Sequence, residues 1–297
     1  MQERQREQPS LTLQLPSPLV EVRDERLERH GVRLWVKRDD LIHPELPGNK
    51  WRKLKYNLAA AAEQGHTTLL TFGGAYSNHI RATAAAGWYF GFATIGVIRG
   101  EEHLPLNPSL RYAVSRGMRL TYLDRTTYRA KHTPEVIERL RREWGDFYLL
   151  PEGGSNELAV RGCAELPAEI KTDFDVICCP VGTGGTLAGI SGGLKAGQRA
   201  WGFSVLKGGE FLADEVRRLQ RRAFGADIGN WSIAYDFHFG GYAKRKPELE
   251  AFIADFAHRH GVTLDWIYTA KMMFGIFACV EQGRIAPGTR IVAVITG

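Results

Sequence analysis

The chain predicts an α/β protein with two open, mostly parallel sheets carrying helices on both faces. Three observations lead there. Apolar strand-like runs alternate with helical stretches from residue 65 onward; two such series meet near residue 150; and glycine-bearing turns follow strands at 73–74, 153–154 and 182–185. A length of 297 residues and a hydrophobic share of 44% supply core for one large domain or two moderate ones.

Taken in order, Val32, Leu34 and Val36 alternate with Arg33, Trp35 and Lys37, which predicts a strand with one buried face ending in Lys37-Arg38-Asp39-Asp40. Pro47-Gly48-Asn49-Lys50 then leads into a helix, because Trp51, Leu54, Leu58 and Ala61 recur at helical spacing until Gly65 stops it. Strands are expected at 67–72, 93–98, 119–123 and 147–150, with an alanine-rich helix at 80–88. Thr133-Pro134-Glu135 opens a further helix that Gly145 closes, with cap, proline and acid in their expected places. The second series has strands at 176–181, 201–206 and 290–295, and helices at 187–196, 212–224, 247–258 and 271–282. The stretch 235–246 reads as irregular.

A net charge of +6 favours anionic ligands, but basic and acidic residues are interleaved, and no aromatic-basic platform or known module points to nucleic acid. Cys163, Cys178, Cys179 and Cys279 form no C-x-x-C pair and are read as reduced core residues of a cytoplasmic protein, with Cys178 and Cys179 on opposite faces of one strand. His258 and His260 stand two apart on a helix and share no face, so no metal site is expected. From the polar first residues no signal peptide is expected, and no apolar run reaches membrane length.

Three places can carry chemistry. Lys50 sits where a loop becomes a helix, and Lys53 is one turn on; a neighbouring cation lowers an amine's pKa, and a neutral amine can attack a carbonyl. Gly182-Thr183-Gly184-Gly185-Thr186 reads either as a phosphate cradle at a helix N-terminus or as a plain strand-to-helix turn; it lacks the lysine of a Walker loop, and Leu187 replaces the third glycine of a dinucleotide fingerprint. Gly73 to His79 offers a hydroxyl, an amide and an imidazole, and is no hydrolase elbow, since Ala75 and His79 stand where glycines are needed. Together these frame a phosphorylated aldehyde cofactor without naming it.

Lys37-Arg38-Asp39-Asp40, Gly48-Asn49-Lys50 with Arg52-Lys53-Leu54, Gly73-Gly74 with Ser77-Asn78-His79, and Gly182 to Thr186 occur in one order that closely resembles the D-cysteine desulfhydrases and 1-aminocyclopropane-1-carboxylate deaminases, pyridoxal-phosphate enzymes of the tryptophan-synthase-β fold. The resemblance runs from about residue 17 to the end. It implies a large cofactor-binding domain of residues 1–58 and 153–297, a small domain of 59–152, and a homodimer. Lys50 would be the Schiff-base lysine and the base that takes the substrate's α-proton. Lys53 and the loop Gly182, Thr183, Gly184, Gly185 and Thr186 would hold the phosphate. Asn78 would bond the ring hydroxyl, and Ser77 would face the ring and assist proton transfer. Ser77, Asn78, His79 and Tyr242 would meet the small amino-acid substrate, while Tyr268 would be catalytic and Thr269 would lie at the pyridine nitrogen.

The deaminases carry glutamine after the Ser-Asn pair and glutamate after the tyrosine near the C-terminus; here the positions hold His79 and Thr269, like the desulfhydrase branch. A threonine cannot hold the pyridine nitrogen protonated as a carboxylate can, which suits elimination of a good leaving group. The implied reaction is conversion of D-cysteine to pyruvate, sulfide and ammonia, with ring opening of 1-aminocyclopropane-1-carboxylate as the alternative. Tyr76 in place of the family's usual glutamine, and an end at Thr296-Gly297 before the family's usual tail, give the expectation of a specialised or impaired pyridoxal-phosphate-binding homologue as a third reading.

Overall fold

The computed structural model describes residues 10–296; the expectations for the first polar residues and for Gly297 lie outside the described residues. In chain order the elements are β1 (Leu19–Val22), α1 (Glu25–Glu28), β2 (Arg33–Lys37), α2 (Gly48–Glu63), β3 (Thr68–Gly73), α3 (Asn78–Phe90), β4 (Ala93–Arg99), α4 (Pro108–Ser115), β5 (Arg119–Leu123), α5 (Arg125–Arg129), α6 (Pro134–Trp144) and β6 (Tyr148–Leu150). They continue with α7 (Glu157–Cys163), β7 (Val176–Val181), α8 (Gly185–Gly192), β8 (Arg199–Ser204), α9 (Leu212–Phe224), β9 (Trp231–Ala234), α10 (Pro247–His260), α11 (Thr269–Glu281) and β10 (Arg290–Val294).

The chain divides into two compact units. One is Leu54–Gly154 with the short N-terminal stretch that ends at Leu13; the other is Gln14–Lys53 with Ser155 onward. The first division falls inside α2, between Lys53 and Leu54. The smaller unit has a parallel sheet in the order β5-β4-β3-β6. Leu70, Phe72, Ile95 and Val97 pack on one side of it with Leu140 and Phe147, and Ile80, Ala84, Ile98 and Leu110 pack on the other.

The larger unit has six strands in the order β1-β2-β10-β7-β8-β9, all parallel except β1 against β2. Its two cores lie on opposite faces: Leu34, Val36, Cys178 and Ile291 face α11, whereas Trp35, Cys179 and Val292 face α8 and α9. β2 therefore departs from the expectation of one buried face. Flanked by β1 and β10, it buries Leu34, Trp35, Val36 and Lys37 alike, as an interior strand between helical layers does. Cys178 and Cys179 fall on the two faces as the alternation requires, and all four cysteines are free and buried. Helix α6 begins at Thr133 with extended backbone, but the Thr133 side chain makes no cap to the helix N–H groups. Among the described residues no helix is long and apolar enough to cross a membrane, and no group of three or more His, Cys, Asp or Glu side chains could hold a metal.

Candidate functional site

In the larger unit the first turn of α2 is fixed by buried charges. Arg52 donates from Nε and Nη2 to the two Asp39 carboxylate oxygens at 2.7 and 2.9 Å, and from Nη1 and Nη2 to Glu169 at 2.7 and 2.9 Å. Lys37 donates to Glu169 at 2.7 Å and to the Ser17 carbonyl at 2.6 Å, and the Ser17 hydroxyl donates to Asp39 at 2.6 Å. Burial works against the charge on Glu169, but Arg52 and Lys37 outweigh it and hold the carboxyl below its ordinary range. Burial likewise opposes the Arg52 cation, and Asp39 and Glu169 more than offset it. Removing one partner of such a buried, paired network would strand a charge at high cost, so the network holds one orientation of the turn bearing Lys50 and Lys53. Gly48 makes the tight entry possible at φ +28°, because a Cβ there would lie 2.6 Å from the Thr296 carbonyl oxygen and 2.8 Å from Asp39 Cβ.

Lys50 is the third residue of α2. Burial is the main cause that pushes its ammonium down to about 7, and the Lys53 cation adds to it. Desolvation, and not the neighbouring cation that the sequence points to, is the larger effect. Near neutral pH a large share of the Lys50 amine is uncharged and nucleophilic. Lys53 is also lowered, by burial first.

The turn after β7, which the sequence leaves open between a phosphate cradle and a plain turn, leads into a helix without a side-chain cap. Gly184, at φ +80°, takes the N-cap position of α8, and no side chain caps the helix. Its first N–H groups are thus left for a ligand. Lys53 Nζ donates to Ser155 Oγ at 3.0 Å, and Ser155 Oγ shares a 2.6 Å hydrogen bond with Thr183 Oγ1. A Cβ on Gly185 would fill this cradle, coming within 2.6 Å of Ser155 Oγ and 3.3 Å of Lys53 Nζ. Asn49, the neighbour of Lys50, donates from Nδ2 to Thr186 Oγ1 at 3.4 Å, and Asn49 Oδ1 is buried with no partner. An open helix N-terminus, an adjacent ammonium, two hydroxyls and a depressed amine at the start of α2 fit a phosphorylated aldehyde. The structure thus joins Lys50, Lys53 and the turn Gly182, Thr183, Gly184, Gly185 and Thr186 in one unit.

The start of α11 adds a second wall. A Cβ on Gly182 would lie 3.2 Å from the Tyr268 ring. Tyr268 donates its hydroxyl proton to the Tyr242 hydroxyl at 3.5 Å, the rings standing 6.0 Å apart. Thr269 is buried, donates to Asp265 Oδ2 at 2.6 Å and accepts from the Asp265 N–H at 2.9 Å. Asp265 also accepts from the backbone N–H groups of Ile267, Tyr268 and Thr269, so it caps α11 and fixes Tyr268 and Thr269 together. The sequence reading missed Asp265, although an acid just before an apolar helix is a start signal. It also missed Ser155, whose partners come from distant parts of the chain.

In the smaller unit Ser77, at the N-cap of α3, accepts from the Ile80 N–H at 3.4 Å, and Asn78 opens the helix. Both side chains are half-buried, whereas Tyr76 is exposed. His79 differs from its expected place at a substrate: it is 1% exposed, its ring rests against Gly154, and Nε2 lies 2.8 Å from Thr71 Oγ1. Thr71 donates to the Leu150 carbonyl at 3.1 Å, so its oxygen accepts from a protonated His79 Nε2. His79 braces the turn from inside the unit.

Residues 11–297 match the family described as "Pyridoxal-phosphate dependent enzyme". The bifunctional D-cysteine desulfhydrase/1-aminocyclopropane-1-carboxylate deaminase of Arabidopsis thaliana is 32% identical, with 90% of this chain and 73% of that protein covered. The D-cysteine desulfhydrase of Klebsiella pneumoniae is 29% identical, with 95% and 91% covered. Among solved structures, an ACC deaminase homologue matches with a TM-score of 0.83 at 29% identity, covering 97% of this chain and 90% of that one.

Proposed function

Because the chain belongs to the pyridoxal-phosphate dependent enzymes, among the 1-aminocyclopropane-1-carboxylate deaminase and D-cysteine desulfhydrase homologues, we propose that it eliminates the β-substituent of a small amino acid, converting D-cysteine and water to pyruvate, sulfide and ammonia. The observation that carries the choice of substrate is Thr269, a neutral hydroxyl engaged with Asp265 where the deaminase pattern has a carboxylate. A weaker electron sink suits departure of sulfide better than opening an unactivated ring.

When bound, the cofactor withdraws electrons from the substrate's α-carbon. Lys53, Ser155, Thr183 and the N–H groups of Gly184, Gly185 and Thr186 hold its phosphate. Lys50 Nζ, kept near neutral by burial, takes the α-proton. Tyr268 offers its hydroxyl proton to the departing sulfur, with Tyr242 beside it. Asn78 and Ser77 keep the roles that the resemblance implies, and His79 supports their turn instead of touching the substrate. The protein is further proposed to act as a homodimer in the cytoplasm.

A second reading is ring opening of 1-aminocyclopropane-1-carboxylate, favoured by the bifunctional name of the Arabidopsis relative. Purified protein loaded with pyridoxal phosphate is to be given D-cysteine, L-cysteine and 1-aminocyclopropane-1-carboxylate, with pyruvate, sulfide and 2-oxobutanoate measured. Release of 2-oxobutanoate alone would replace the first reading with the second. A loaded protein whose visible spectrum responds to none of the three is a binding homologue and not a catalyst.

A further inference from the structure

Lys271 lies in the first turn of α11, is wholly buried, and has no part in the chemistry above. Its Nζ donates to the His238 carbonyl at 3.0 Å and the Gly241 carbonyl at 2.8 Å. Both carbonyls belong to the connection between β9 and α10, which is unlike any other segment of the described chain in its backbone. Phe239, Gly240, Gly241 and Ala243 have φ of 54, 96, 120 and 51°, so two of the residues with left-handed backbone are not glycine. Such a path persists only where its surroundings determine it. The same two carbonyls accept turn hydrogen bonds, His238 O from the Gly241 N–H at 3.0 Å and Gly241 O from the Lys244 N–H at 3.1 Å. Phe237 and Phe239 anchor the connection in the core, and Tyr242 stands exposed at its crest beside Tyr268.

We propose that Lys271 is a positioning residue: its buried ammonium, gripping two carbonyls of the β9–α10 connection, sets the left-handed path that holds the Tyr242 hydroxyl beside that of Tyr268 at the substrate. One helix end thereby carries both Tyr268, against Gly182 of the phosphate turn, and the group that locates Tyr242. A lysine suits this place because three donors on a flexible stem satisfy carbonyls that no hydrophobic side chain could. Burial pushes the ammonium down to about 8, with the Asp265 carboxylate opposing, which agrees with an amine held for hydrogen bonding in a tight interior. The role at the substrate rests on the reading of Tyr242 given above; the clamp on the backbone does not.

Two readouts on the cofactor-loaded full chain separate the parts. Trypsin can cut after the exposed Lys244 and Arg245 only if the connection loosens. Lys271→Met is expected to speed that cleavage by about fivefold or more well below the melting temperature, and to raise KM for D-cysteine about tenfold with kcat within about twofold. In a Tyr242→Phe background the same change is expected to add less than about twofold to KM, because its effect runs through Tyr242. Unchanged cleavage in Lys271→Met overturns the clamp. Faster cleavage with fully additive KM effects, or with a Tyr242→Phe that behaves as wild type, overturns the positioning role while leaving the clamp. If D-cysteine is no substrate, the failing reading is the proposed reaction, and cleavage still decides the clamp. Should Lys271→Met not fold, Gly241→Ala strains the same carbonyl at φ +120° and is expected to speed cleavage equally; cleavage as in the wild type overturns the clamp.

Discussion

Each unit has a wholly or mostly parallel sheet in which a central strand leads through glycines into a helix, at β3 to α3 in the smaller and β7 to α8 in the larger, yet the two helix starts are capped differently. At α3 the chain supplies its own cap: Ser77 Oγ takes the Ile80 N–H, and Gly73 is needed because a Cβ would come within 2.6 Å of Ile80 Cγ1 and 2.9 Å of Ser77 Cβ. At α8 no side chain caps the helix, and the space that a Cβ on Gly185 would take is bordered by Ser155 and Lys53. The same sequence grammar, glycines between a strand and a helix, thus serves close packing in one place and in the other leaves an uncapped helix start where an anion is proposed to bind. What distinguishes them is the charge brought in from elsewhere in the chain, here the lysine held by the Arg52 network.

The largest effect is expected from removing the Lys50 amine. Lys50→Ala is expected to lose covalent cofactor attachment and at least about a thousandfold in turnover, measured by the visible spectrum after borohydride treatment and by product release. Next, Gly185→Ala should weaken pyridoxal phosphate binding by roughly ten- to a hundredfold, since the new methyl displaces Ser155 and Lys53; Gly73→Ala should instead lower stability by about 1–3 kcal/mol with phosphate competition unchanged. Equal losses of phosphate affinity in both would erase the distinction drawn here.

Lys53→Gln is expected to reduce affinity about tenfold, read by competition with inorganic phosphate. The pH dependence follows from Lys50, whose folded pKa of about 7 lies below its ordinary 10.5. Between those values the unfolded chain holds a proton that the folded chain has released, so apoprotein stability rises with pH through this window. Melting curves of the apoprotein should show the rise, reduced in Lys50→Met. The smallest effect is that of Ser77→Ala: its 3.4 Å cap is long, so a loss of about 0.5 kcal/mol is expected by denaturant titration.

Much of this was legible in the sequence. β5, β7 and α9 lie where periodicity put them, and the turn 182–186 and Lys50 stood out by composition and place. β1 and β9 did not, because edge strands of four residues carry too little alternation to rise above loops. The network around Arg52 was hidden for another reason. Its partners Asp39 and Glu169 are 13 and 117 residues away, and no local pattern announces a pairing that only the fold creates. Lys271 marks only the start of a helix in the sequence, since nothing in its neighbours reveals that two distant carbonyls converge on it.

The two adjacent thiols of β7 offer an internal reporter. Cys178 lies on the buried face toward α11 and Cys179 on the buried face toward α8 and α9, and burial raises both pKa values, so neither reacts while the sheet is closed. An alkylating reagent applied under mild denaturant, followed by mass spectrometry of the single peptide that carries both, would read which helical layer peels away first, with one strand serving as the clock for its two sides.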